Sequence, residues 1–242
     1  MWPFKKKSPP SRLPINGDAE GVRNEGFGVF SPLFEGGVGY LTLLNLGTPD
    51  ATKAISLIMN CCASASNPYQ EICSLLRQTD WRSHLVGAVA MATLAHDPEA
   101  TLELWSAIDK GSWVTPQLAA AAFLCDPRFA DHARERLRLG CPIDTSACAR
   151  LPALEGHISA GPAGRVERSA KTAASLVRLL ERLPQQPDWF TSEATSVNVQ
   201  NLLRRDMDSS AEIAEGWLAR LKSHLARLGC ANLPDHLKDD SA

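Results

Sequence analysis

Thr48-Pro49, Asn67-Pro68, Asp97-Pro98, Thr115-Pro116 and Asp126-Pro127 punctuate one stretch of this 242-residue chain, and their recurrence decides the fold. In each pair a short polar side chain precedes a proline. The oxygen of Thr, Asn or Asp accepts from an orphan backbone N–H of a first helical turn. Proline's fixed φ suits that turn, and its missing donor costs nothing there. Asp80, before Trp81, supplies a sixth cap without the proline. The segments opened in this way are 48–60, 67–78, 80–95, 97–110, 115–125 and 126–139, with Gly111 and Gly140 as stops after two of them. Six short helices in three antiparallel pairs are therefore expected.

The apolar faces agree. Ala51, Ala54, Ile55 and Ile58 line one helix, Ile72, Leu75 and Leu76 the next, and Leu102, Trp105 and Ile108 a third. The segment from Trp81 to Ala95 is apolar nearly all round, through Leu85, Val86, Ala88, Val89, Ala90, Met91, Ala92 and Leu94, which requires burial between neighbours. An imperfect internal repeat sets Trp81, Leu85, Ala88, Met91 and Asp97-Pro98 against Trp113, Leu118, Ala121, Leu124 and Asp126-Pro127, at offsets near 30 residues. Two helices per repeat, with small residues where helices cross and Asp-Pro between them, resemble the HEAT-like class of α-solenoids over residues 48–140. That resemblance implies an all-α fold of stacked antiparallel helix pairs.

Outside this body the composition changes. Residues 1–25 hold Pro3, Pro9, Pro10 and Pro14 and little periodicity, and are expected to be a flexible leader. Residues 26–47 interleave six glycines with Phe27, Phe30, Phe34, Val38 and Tyr40, which predicts a packed loop or short hairpin capping the stack, in one unit with the body over 26–140. Residues 141–164 read as an irregular connection. Residues 165–242 carry further helices: a stripe of Ala173, Leu176, Val177, Leu180 and Leu183, a short helix around Val199, Leu202 and Leu203, and a last helix from an Asp208 cap along Ala214, Leu218, Leu221, Leu225 and Leu228 to Gly229.

Composition narrows the function. The 25 Lys and Arg against 27 Asp and Glu leave every region near neutral, without the positive excess that phosphate neutralisation needs, so general nucleic-acid binding is disfavoured. Seven cysteines, an odd number with no CxxC pair, suit a reducing cytoplasm. The longest strongly apolar stretch, Leu85 to Ala95, is about half of the roughly 20 residues a transmembrane helix requires.

Chemistry is harder to find. Cys125, His132, Cys141, Cys148 and His157 offer soft ligands, but their gaps do not match the close pairs of a structural zinc site, so no metal and no cofactor is expected. Cys61-Cys62 is expected to pack in the core. The run Glu35 to Tyr40 fits neither phosphate-loop pattern. No GxSxG or HExxH motif is present, and no catalytic residue is assigned. Arg134, Arg136 and Arg138 are expected to form a solvated face. Aromatic placement is what is left. Trp105, Trp113, Trp189 and Phe190 stand at helix ends or in loops, and with Ser112 and Gln117 they mark a candidate contact surface, since tryptophan dominates binding hot spots. The expected function is a non-catalytic protein-binding module, in one form an inhibitor or immunity protein that occludes a toxin, in another an assembly adaptor. The alternative is an enzyme on a HEAT-like scaffold whose site, drawing on the glycine segment and His84 or His132, assembles only in three dimensions.

Overall fold

In a computed structural model of the chain, which describes residues 26–35, 39–144, 162–183, 197–207 and 209–230, every regular element among the described residues is helical. A 3-10 helix, Gly28–Leu33, is followed by α1 (Gly39–Leu43), α2 (Pro49–Ser64), α3 (Pro68–Arg77), α4 (Trp81–Thr93), α5 (Pro98–Asp109), α6 (Thr115–Cys125) and α7 (Phe129–Arg138). After these come α8 (Pro162–Leu180), α9 (Val197–Leu203) and α10 (Ser210–Arg227). The leader and most of the expected connection lie outside the described residues. Helix resumes at Pro162, three residues before the expected Arg165.

Three caps form as their chemistry dictates. Asn67, Asp80 and Asp97 accept from the backbone N–H groups of Gln70, Arg82 and Ala100. Thr48 occupies the cap position of α2 without a side-chain bond. The other two pairs are corrected. Thr115 is already helical and donates its hydroxyl back to Ser112 O, with Val114 as the cap. Asp126-Pro127 makes a turn that delays α7 to Phe129. Gly111, Gly140 and Gly229 stop their helices at φ of +71°, +77° and +72°, the left-handed region that favours glycine.

The helices pack with α3 against α4 and α5, α5 against α6, and α4 against α6, so the closest sequence neighbours are α3–α4 and α5–α6. This grouping is displaced by one helix from the expected pairs, because α2 packs on α1 and α4 instead. At Gly87 the approach of α3 to α4 is so close that a Cβ would stand 2.9 Å from Leu76 Cδ2. The central element is α6. All eleven of its residues are buried, since α4 and α5 cover part of it and α8 and α10 the rest. On α5, Leu102 is 65% exposed, contrary to its expected place on the buried stripe; Thr101, Leu104, Trp105 and Ile108 carry that face. At the start of α10 Ser209 holds the cap position without a side-chain bond, and the Asp206 carboxylate accepts from Ser210 N and Oγ; the expected cap, Asp208, lies outside the described residues.

The glycine-rich segment contains no hairpin among its described residues. Its 3-10 helix and α1 lie on α2 and α4 and bury Phe30, Leu33, Leu43 and Leu46. Four successive carbonyls at the end of α1, which no helix bond satisfies, are met by side chains from far along the chain. Trp217 Nε1–H donates to Leu43 O (2.8 Å), Gln117 Nε2–H to Leu44 O (3.0 Å), Arg220 Nη1–H to Asn45 O (2.7 Å) and His224 Nε2–H to Leu46 O (3.0 Å). Leu46 itself sits at φ +54°, an uncommon conformation for a branched apolar residue, held by its burial and by His224.

Replacing Trp217 by Phe keeps an aromatic ring in place but leaves Leu43 O without its donor. Urea unfolding is expected to show a loss of about 1 to 3 kcal/mol for Trp217→Phe and about 3 to 5 kcal/mol for Trp217→Ala. Equal stability of Trp217→Phe and the parent would show that the carbonyl finds another partner.

Candidate interaction surface

The first turns of α4 and α6, and the N-terminal segment beside them, bring five aromatic rings into one row. Phe27 stacks on Phe34 with centroids 3.7 Å apart, Phe34 on Tyr40 at 5.8 Å, and Tyr40 meets Trp81 edge-on at 5.9 Å. Trp81 in turn meets Trp113 edge-on at 5.0 Å. The last three contacts, at 5.0 to 5.9 Å, fall within the separations favoured for offset and edge-to-face aromatic pairs. The Arg82 guanidinium lies 4.7 Å from the Trp81 ring centre, donates through Nε to the Tyr40 hydroxyl, and is anchored by Asp80 at 3.0 Å. The first four rings are half-buried, whereas Trp113 is 43% exposed, and Leu41, next to Tyr40, is 47% exposed.

The candidate residues separate into three groups. Trp113 ends the row at the surface. Ser112 is half-buried, and its hydroxyl donates to His84 Nδ1 at 2.8 Å. Trp105 and Gln117 are corrected as surface residues, at 2% and 5% exposure. Gln117 serves the Leu44 carbonyl from inside α6. Trp105 stacks on Phe129 and donates its indole N–H to Asp126 Oδ2 at 2.7 Å, with Arg136 over the other part of its ring at 4.2 Å. Asp126 also receives His132 Nδ1–H at 2.7 Å and Arg128 N–H at 2.8 Å, so its buried carboxylate is matched by three donors. Trp189 and Phe190 lie outside the described residues.

Arg136 also departs from the solvated face expected of its neighbours. It pairs with Asp109 through two bonds of 2.7 Å, a bidentate geometry, while its plane covers Trp105.

Two pairs have the outline of catalytic parts. In the first, Ser112 Oγ faces His84, but His84 Nε2–H is spent on the Gln78 carbonyl at 2.7 Å, and among the described residues no carboxylate is bonded to the ring. Burial of the imidazole pushes its pKa down to about 4, which makes it a weak base toward a hydroxyl. In the second, Asp126 orients His132, but the other donors around that carboxylate come from the tryptophan indole and the chain backbone, and among the described residues no nucleophilic side chain is bonded to the imidazole.

The cysteines are likewise set for packing. Burial drives the Cys62 and Cys141 thiols up to about 12, Cys73 up to about 11, and Cys61 and Cys125 upward as well. Cys148 and His157 lie outside the described residues. Among the described residues no group of three or more His, Cys, Asp and Glu is gathered closely enough to hold a metal ion, and no helix is long and apolar enough to cross a membrane.

Sequence spacing alone missed Tyr40, Arg82 and the two phenylalanines as companions of Trp113. The internal repeat contained a usable signal, because its matched tryptophans, Trp81 and Trp113, are the two that touch. Comparison of the chain with protein-family models, with curated proteins and with solved structures finds no match.

The depressed His84 pKa carries a signed consequence. The unfolded chain binds a proton as pH falls through about 6.5, and the folded one resists until about 4. Stability is therefore complete above the unfolded value and declines as pH falls through that window. Denaturant titrations at about pH 7.5 and about pH 5 should show about 2 kcal/mol lost through this group. A His84→Gln variant should show a correspondingly shallower slope, and an unchanged slope would contradict the assignment.

Proposed function

We propose that this protein is a non-catalytic helical scaffold that binds another protein through the surface ending at Trp113. The observation that carries this reading is the aromatic row itself. Four rings and the Arg82 guanidinium hold one another in fixed rotamers and present a large, partly exposed indole at their end. Such an anchor loses little conformational entropy on binding and has the composition of a hot spot. Leu41 adds apolar area beside Tyr40 in the chain, and the polar groups of Arg82 and Ser112 supply the rim that such patches require.

Helix pairs repeating in the HEAT-like manner fit the same reading. The packing of α3 on α5 and of α4 on α6, with Trp81 on Trp113 at matched positions, is what stacking of successive units would produce. Repeat scaffolds of this kind act by presenting extended faces to partners, and an inhibitor or immunity protein occluding a toxin, or an assembly adaptor, are the forms that suit a cytoplasmic chain of this size.

Truncating Trp113 separates contact from stability. Trp113→Ala is expected to leave the melting temperature within a few degrees of the parent and to weaken partner binding by at least about 2 kcal/mol, some thirtyfold in Kd. Trp105→Ala should do the reverse, losing about 3 to 5 kcal/mol of folding stability through its buried contacts. Affinity capture on both the parent and Trp113→Ala, followed by titration of the captured protein, tests the proposal. A partner held equally by both would move the interface elsewhere on the molecule.

A further inference from the structure

A cavity of about 360 Å³ opens between the start of α2 and one face of α10. Thr48, Pro49 and Thr52 form one wall, and Arg220, Ser223, His224 and Arg227 the other. The spacing 220, 223, 224, 227 places these four side chains on a single helix face, so their convergence follows from α10 being helical there. Among the described residues no carboxylate lines the cavity, and two guanidinium groups do.

Each group has a distinct state. His224, 5% exposed, forms the floor: its Nε2–H is given to Leu46 O, and its Nδ1 faces the Thr52 hydroxyl at 2.7 Å. This buried link ties the two walls together and sets the width of the opening. Arg220 uses one N–H on Asn45 O at 2.7 Å, which orients its guanidinium while leaving further donors of the fork available. Arg227 makes no ion pair or hydrogen bond among the described residues. The nearby Asp50 on the first turn of α2 is engaged by Lys53 at 2.9 Å.

We infer that this cavity binds a small phosphate monoester through Arg220, Arg227 and the Ser223 hydroxyl. Two guanidiniums with no compensating acid among the described lining residues match a dianion, and their planar forks suit phosphate oxygens bidentately. The volume falls at the small end of ligand sites and accommodates a phosphoryl group with a short organic substituent. A polyanion is the poorer fit, because the chain as a whole carries a net charge of −2 and would repel the remaining phosphates. The inference stands apart from the Trp113 surface and does not depend on it.

Glycerol 3-phosphate serves as the probe, titrated calorimetrically into the full chain at constant ionic strength, with chloride as the control anion. Saturable one-to-one binding is expected, with amide NMR shifts centred on Thr48, Ser223 and Arg227. Arg227→Gln, which breaks no described contact, should keep the parent melting temperature and weaken binding at least about tenfold. Ser223→Glu places a negative charge in the cavity and should abolish binding. The inference is overturned by the absence of saturable binding, by an equal response to chloride, by shifts located elsewhere, or by Arg227→Gln binding as tightly as the parent.

Discussion

Leu43 ends the short helix α1 and residues 44–46 follow it, and their four carbonyl oxygens are the constraint around which the protein is arranged. A helix terminus leaves such groups without partners, and a buried one without a donor costs about 1 to 3 kcal/mol, a cost that applies most at buried Leu43 and Leu46 and least at exposed Asn45. Here one donor comes from α6 and three from α10, the latter more than 170 residues away. The rotational setting of α10 follows, since Trp217, Arg220 and His224 must share one face to reach the carbonyls of residues 43, 45 and 46. Its apolar stripe of Ala214, Leu218, Leu221 and Leu225 then faces the core by the same rotation.

The same closure explains why α6 has no solvent face. The N-terminal segment is held by Gln117 on α6 and by α10, so α8 and α10 must close over α6 from the side that α4 and α5 leave open. Ala119, Ala120, Ala121 and Ala122 permit this, because small side chains let several helices approach one axis without voids. Asp126 ends α6 with a buried charge, and the donors gathered on it from α5 and α7 turn a potential cost into a junction between three helices.

Both proposed surfaces border the held segment. Tyr40, before the four carbonyls, leads into the aromatic row that ends at Trp113, while Leu46, Gly47 and Thr48, at and after them, form a wall of the arginine-lined cavity. A loosened segment would disturb the two together, whereas substitutions at Trp113 or Arg227 act on one alone.

Helix identity was open to reading from local chemistry. Asn67, Asp80 and Asp97 satisfy orphan N–H groups within three residues of themselves, and Gly111, Gly140 and Gly229 supply positive φ where a helix must stop, so these signals act at short range and survive any tertiary arrangement. The apolar stripes of α2, α3 and α10 were equally plain for the same reason, a period of 3.6 residues. What escaped was decided at long range. Trp105 and Trp113 occupy similar sites in sequence, yet Trp105 is buried with its indole N–H on Asp126, 21 residues away, whereas Trp113 is 43% exposed with its ring edge-on to Trp81. Leu102 was misplaced because neighbouring helices, not periodicity alone, choose which apolar residue of α5 is covered. The carbonyl clamp, the aromatic row and the arginine pair each join residues distant in the chain, and spacing along the chain does not encode distance in space; only the packed fold brings them together.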